Sequence, residues 1–369
     1  MQRLNSAGES RRNFMIGTAA GGIAAALPAL VSSAQNTGSP RRIDVHHHFE
    51  PDVFVAYRRA HNQGAQNSAW NVNKALEEMG KGGVETSICS ITQPAFAFGT
   101  VEEVRKAVRE TNEAAAKYRA DYPGRFGSFA AVPMTDIDGS LREMEYAFDT
   151  LKADGLGLMT SYPDNKWLGD PMFDPIWQEA NRRKAVVYTH PTEPWCCRGL
   201  LKDVNPNIVE FGSDTTRTIA SLIFYGATSK FPDIKFIMSH GGGTAPYVVE
   251  RFMNGTAAEL VPGVVTKGQG GNGVVGSNPP KNVPKGVLNE LRKLYYDTAQ
   301  AANPIAMTAL KQLVPMSQIV FGTDYWFRGI EETVKNLDTL MLRSVRSWLA
   351  KKNSLFLAIG PPSVAPHWF

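Results

Sequence analysis

The chain alternates eight times between a short apolar or β-branched run and a longer stretch with helical periodicity. The runs fall at 43–46, 86–91, 126–132, 155–160, 185–190, 234–240, 294–298 and 319–324. Helices are expected between them near 73–79, 101–122, 140–151, 173–183, 215–225, 245–254 and 304–314. The segment 101–122 is the clearest helix. Val101, Val104, Val108, Ala115 and Tyr118 make an apolar stripe, opposed by Glu102, Glu103, Arg105, Arg109 and Glu110. Runs such as Lys235-Phe236-Ile237-Met238 do not alternate cleanly, as expected of parallel strands buried on both faces. Eight such units are the arithmetic of a single (β/α)8 barrel, with a doubly wound sheet as the structural alternative. The Gly- and Pro-rich stretch 262–284 interrupts the pattern and reads as a long loop.

The polar residues fall where the runs end. His46, His47 and His48 close the first run, His190 the fifth, His240 the sixth and Asp324 the eighth. Side chains along a strand alternate faces, so His46 and His48 point the same way and can chelate one ion. A strand buried on both faces should not end in a polar group unless that group has a partner, because an unpaired one costs about 1–3 kcal/mol. In a barrel the C-terminal strand ends form one rim, which brings these distant residues together. Three imidazoles and a carboxylate, from His46, His48, His190 and Asp324, suit Zn²⁺ or a similar divalent ion with a position left open. The competing view of each histidine alone is a satisfied core residue, and it weakens because five of the seven histidines lie at these ends.

Charge and cysteine content narrow the field of functions. The 39 Lys and Arg exceed the 35 Asp and Glu by only four, so nothing points to nucleic acid, and three cysteines do not make a disulfide framework. Cys89 reads as core; Cys196 and Cys197 are an adjacent pair open to oxidation or to plain burial. Residues 1–34 carry Arg11-Arg12 before an uncharged Ala- and Gly-rich stretch broken by Pro28. That order is expected of a twin-arginine export leader, with a membrane anchor as the alternative. It implies an exported, periplasmic or extracellular protein handled by the twin-arginine machinery. The tail 341–369 ends in an irregular Pro-rich segment and breaks the earlier pattern.

Taken in order, Ile43-Asp44-Val45-His46-His47-His48-Phe49, His190-Pro191, Ser239-His240-Gly241-Gly242-Gly243 and Phe321-Gly322-Thr323-Asp324-Tyr325 resemble the motifs of the amidohydrolase-related family over about residues 42–340. The likeness is to its decarboxylase branch, which includes aminocarboxymuconate-semialdehyde, resorcylate and 6-methylsalicylate decarboxylases. Glu145-Tyr146-Ala147 and Ala153-Asp154-Gly155 look most like the last of these. The resemblance implies a metal-dependent barrel with His46, His48, His190 and Asp324 as ligands of one divalent ion. The ion would be Zn²⁺, with Mn²⁺ the alternative, and His240 would act as an acid/base residue beside it. It also implies a homodimer. Binuclear relatives place a lysine at the end of strand four, whereas here that run ends Leu158-Met159-Thr160-Ser161, so one metal is expected.

The expected activity is non-oxidative decarboxylation of a small aromatic or unsaturated carboxylic acid such as a 6-methylsalicylate-like hydroxybenzoate. Asp324 would transfer the proton and His240 assist it. The same parts suit a single-metal hydrolase of a lactone, ester or amide, and fold does not separate the two. An exported metal- or ligand-binding protein without turnover is the third reading. Phe49, Trp167, Trp195, Tyr325, Trp326 and Arg328 are candidates for the substrate pocket, with packing as the alternative for the aromatic ones.

Overall fold

Parallel pairing runs in chain order through eight strands of one sheet. They are β1 (Arg42–His48), β2 (Val84–Ser90), β3 (Phe126–Ala130), β4 (Gly155–Met159), β5 (Val186–His190), β6 (Lys235–Met238), β7 (Tyr295–Asp297) and β8 (Ile319–Val320). In this computed structural model, which describes residues 42–63, 70–253 and 281–340, β8 returns to β1 and closes the ring. Closure rests on Val45 N–H donating to the Phe321 carbonyl at 3.0 Å, His48 N–H to Tyr325 at 2.7 Å and Asp324 N–H to His46 at 2.8 Å. A cyclic order of parallel strands is a (β/α)8 barrel and excludes the doubly wound sheet. The expected leader and tail, and residues 262–280 of the glycine-rich stretch, lie outside the described residues.

Between β2 and β3 runs the longest described helix, Val101–Asp121. It starts where expected because Thr100 and Glu103 form a reciprocal capping box: Glu103 N–H donates to Thr100 Oγ1 at 3.3 Å and Thr100 N–H to Glu103 Oε2 at 2.8 Å. Of the segment 245–254, the described residues 245–253 hold only the short helix Val249–Phe252. Four described helices that the apolar pattern did not signal are Asp52–Ala60, Ala227–Lys230, Val287–Lys293 and Ile330–Leu340.

Val45, Ile88, Phe129, Val186, Tyr188, Ile237 and Val320 fill the barrel interior. Phe129 and Tyr188 stack there with ring centroids 5.4 Å apart. Alternation along β5 puts Val186, Tyr188 and His190 on this inward face, so the strand that packs the core also presents His190 at its end. On β1 the register against β2 shifts between Asp44 and His47. Val45 joins the interior cluster, while the next residue, His46, sets its ring 5.2 Å from that of Tyr188.

Two strands stop short of the polar residue expected to close them. β6 ends at Met238 and β8 at Val320, so His240 and Asp324 lie beyond them on loops. Both have left-handed backbone, with φ of 52° and 62°. That conformation cannot continue a strand, and it turns each side chain in over the barrel mouth.

Candidate metal centre

His46, His48 and His190 share one hydrogen-bonding plan. His46 Nδ1 lies 2.7 Å from Asp297 Oδ2, His48 Nδ1 3.3 Å from the Ser90 carbonyl, and His190 Nδ1 2.8 Å from the Pro191 carbonyl. Carboxylate and carbonyl oxygens only accept, so each Nδ1 carries the proton and each Nε2 is left with a lone pair. The His46 and His48 Nε2 atoms are 3.1 Å apart. Asp324 Oδ1 sits 3.3 Å from the first and 3.2 Å from the second, buried and without a hydrogen-bond donor. One ligand atom from each of His46, His190, His240 and Asp324 lies within 4.8 Å of the others. The His190 ring is 4.6 Å from that of His48, which brings His48 into the same group.

Lone pairs converging at such spacings repel unless a cation lies between them. The edge of a four-coordinate shell with bonds of about 2.0–2.1 Å is roughly 3.3 Å, close to what is found here. Electrostatics split the three: His48 and His190 are held neutral, whereas His46, between two carboxylates, is drawn toward the charged form that a bound cation would displace. Burial opposes charge on His46, yet Asp297 and Asp324 outweigh it and push this imidazole up to about 10. Burial, helped by the neighbouring imidazoles, holds His190 well below its ordinary value, and burial also lowers His48. Neutral imidazoles are the form that binds metal. For Asp324 burial works against ionisation, but His46 and then contacts from His240, His46 and His48 keep it well below the usual carboxylate range. The donor set fits one divalent ion. Lys166 is not part of it and pairs with Asp170 at 2.8 Å.

Two buried aspartates that the sequence reading passed over hold this arrangement. Asp297, at the end of β7, binds His46 through Oδ2 and accepts the His240 backbone N–H at 2.8 Å through Oδ1. It is one more polar strand end, and the rule that singled out His190 would have found it. Asp44 accepts the backbone N–H groups of His46 and Thr323, both at 3.0 Å, which ties β1 to the loop bearing Asp324. Gly322 allows the close approach. A Cβ there would lie 2.8 Å from His46 Cβ and 3.0 Å from Asp297 Cβ.

A narrow cleft lies on the same rim, beside the ends of β3, β4 and β5. Ile91, Phe96, Val132, Met134 and Met159 form apolar walls, while Ser161, Thr192 and Arg198 supply polar groups. Of the six pocket candidates, Trp195 lines this cleft, with the Arg198 guanidinium 3.7 Å from its ring centroid. Phe49 is buried against Trp70 and Tyr118. Trp167 donates to Asp214 at 2.7 Å. Tyr325 stacks on His47 at 4.7 Å, and Trp326 on Phe327 at 4.4 Å. Arg328 is exposed, and its backbone N–H donates to the Asp324 carbonyl at 3.0 Å. Phe327, not anticipated, sets its ring 5.7 Å from that of His48.

Comparison with known proteins adds a family match and close relatives. The model of the family described as Amidohydrolase matches residues 43–351. A 6-methylsalicylic acid decarboxylase from Penicillium expansum is 33% identical over 295 residues, covering 77% of this chain and 84% of that protein. Decarboxylase macB from Penicillium terrestre is 32% identical over 308 residues, covering 79% and 85%. A crystal structure of a dihydroxybenzoic acid decarboxylase from Polaromonas sp., with bound manganese and the inhibitor 2-nitroresorcinol, superposes with a TM-score of 0.74. It is 18% identical and covers 86% of this chain and 97% of the other.

Proposed function

Because this chain belongs to the Amidohydrolase family, we propose that it is a metal-dependent, non-oxidative carboxy-lyase acting on a hydroxybenzoate of the 6-methylsalicylate type. The observation that carries this reading is the division of labour at Asp324. Oδ1 faces the lone pairs of His46 and His48, while Oδ2 faces His240 Nε2 at 3.3 Å. His46, His48, His190 and Asp324 are the ligands in this reading, and Zn²⁺ is the ion, ahead of Mn²⁺, because imidazole-rich, four-coordinate sets suit it.

When bound, the ion supplies Lewis-acid binding of the substrate's carboxylate and its neighbouring hydroxyl oxygen. Asp324 rests as the carboxylate, receives a proton at Oδ2 from His240 Nε2 across 3.3 Å, and passes it to the ring carbon that bears the carboxylate. The bond from that carbon to the carboxylate then breaks, its electron pair restores the aromatic ring, and CO2 leaves. His240 backs Asp324 and returns a proton to it from solvent. Exclusion of water from the ring would favour protonation by a fixed acid over hydrolytic attack, and the apolar side chains of the neighbouring cleft are the candidates for it. Incubation of chelated and reconstituted enzyme with 6-methylsalicylate and 2,6-dihydroxybenzoate, following CO2, tests this. Release restored by Zn²⁺ or Mn²⁺ supports it; opening of lactones without CO2 would replace it with the hydrolase reading.

The leader and the quaternary state complete the proposal. Arg11-Arg12 and the uncharged stretch after them support export by the twin-arginine route to the periplasm. A reporter fused to residues 1–34 that stays cytoplasmic would remove that assignment. A homodimer is checked by light scattering, where a monomer mass would contradict it.

A further inference from the structure

Oδ2 of Asp324 is a meeting point of three loops. Asp324 itself follows β8, His240 follows β6, and Gln300 follows β7. All three sit on left-handed backbone, with φ of 62°, 52° and 49°. An L side chain adopts this conformation at a cost, so three cases converging on one oxygen call for a reason beyond chain reversal. Gln300 Nε2–H donates to Oδ2, beside His240 Nε2 at 3.3 Å.

A carboxylate turns about its Cβ–Cγ bond with little preference unless its oxygens are held. Oδ1 meets the Nε2 atoms of His46 and His48 at 3.3 and 3.2 Å, and the side chains of His240 and Gln300 hold the group at Oδ2. Of the two groups there, His240 exchanges protons, whereas an amide neither gains nor loses one. The loop that carries Gln300 is fastened to the segment that follows β8. Thr298 Oγ1 donates to the Gly322 carbonyl at 3.0 Å and accepts the Gly322 N–H at 3.0 Å, two residues before Asp324.

We propose that Gln300 is a positioning residue of the reaction, fixing the Asp324 carboxylate so that Oδ1 faces the three-histidine cluster and Oδ2 faces the substrate. The proposal rests on the reading of Asp324 as proton carrier. Gln300 is itself exposed, so its replacement leaves the core intact.

The test uses Q300M, which keeps length and removes the donor, and Q300A. With the metal-loaded full chain, kcat should fall about 10- to 100-fold, the loss of one charge-assisted hydrogen bond at the reacting group. KM should stay within about twofold, with metal per chain and unfolding temperature unchanged. A crystal structure of metal-free Q300M should show the carboxylate rotated, with Oδ2 out of reach of His240. A kcat within twofold of the parent, a loss that tracks lost metal, or an unmoved carboxylate would overturn the proposal. If the parent releases CO2 from no hydroxybenzoate, the functional reading fails, and carboxylate orientation in the variant still decides on Gln300.

Discussion

Two buried aspartates near the barrel rim, Asp214 and Asp324, have opposite surroundings. Asp214, on the helix Pro206–Phe224, accepts from Thr160 Oγ1 and Ser161 Oγ through one oxygen and from Trp167 Nε1 through the other. Each donor comes from the end of β4 or the hairpin after it. Thr160 in turn donates its N–H to the His190 carbonyl at 2.9 Å and accepts the Thr192 N–H at 3.2 Å. Asp214 is therefore a clip. Asp324 has donors at one oxygen only, and the other looks onto imidazole lone pairs. Their titration differs in the same sense: burial raises Asp214, while His46 and its neighbours overcome burial and depress Asp324. Satisfaction by neutral donors marks structure, and a gap among acceptors marks a cation seat.

Exchange of function and stability between the two sites would break this contrast. In D324N we expect decarboxylation to fall by about 10²- to 10⁴-fold, the range for loss of a general acid, with the unfolding transition nearly unmoved. Steady-state kinetics beside circular dichroism would show both. In D214A the order reverses. Three donors, two of them buried, lose their acceptor, and chemical denaturation should reveal a loss of about 3–5 kcal/mol while the folded fraction still binds metal.

Smaller effects sharpen the boundary. D297N leaves the ligands in place but removes the acceptor that orients His46, so metal affinity in a chelator competition should drop about 10- to 100-fold. An unchanged affinity would mean that Asp297 only packs. The mildest effect concerns pH. A carboxyl raised in the folded state contributes stability below its unfolded pKa, near 3.9, and loses that contribution as pH climbs through the raised folded value. The stability difference between parent and D214N should therefore shrink from about pH 4 upward and then level off. A difference that grows over this window would contradict the burial of Asp214.

Much of this was legible because barrel chemistry is written at strand ends. His46, His48, His190 and Asp324 each follow an apolar run, and the closed sheet gathers His46, His190 and Asp324 with His240, while His48 lies against His46 and Asp324. Periodicity could not reveal that His240 and Asp324 lie past their strands, since left-handed backbone leaves no trace in an apolar pattern. Gln300 and Asp214 were hidden for another reason. Their partners lie 24 residues away or more, and a single Gln or a helical Asp has no local signature. Pocket residues fared similarly. Phe49 and Tyr325 carry aromatic rings as Trp195 does, and only packing separates those turned into the core from the one that lines the cleft.

The most direct measurement is proton magnetic resonance of 6-methylsalicylate incubated with metal-loaded enzyme in deuterated water. One deuteron should enter the ring at the carbon that lost the carboxylate for each CO2 released, and D324N should show neither event at the parent rate. Carbon dioxide release that survives in D324N, or in enzyme stripped of metal, would contradict the central claim.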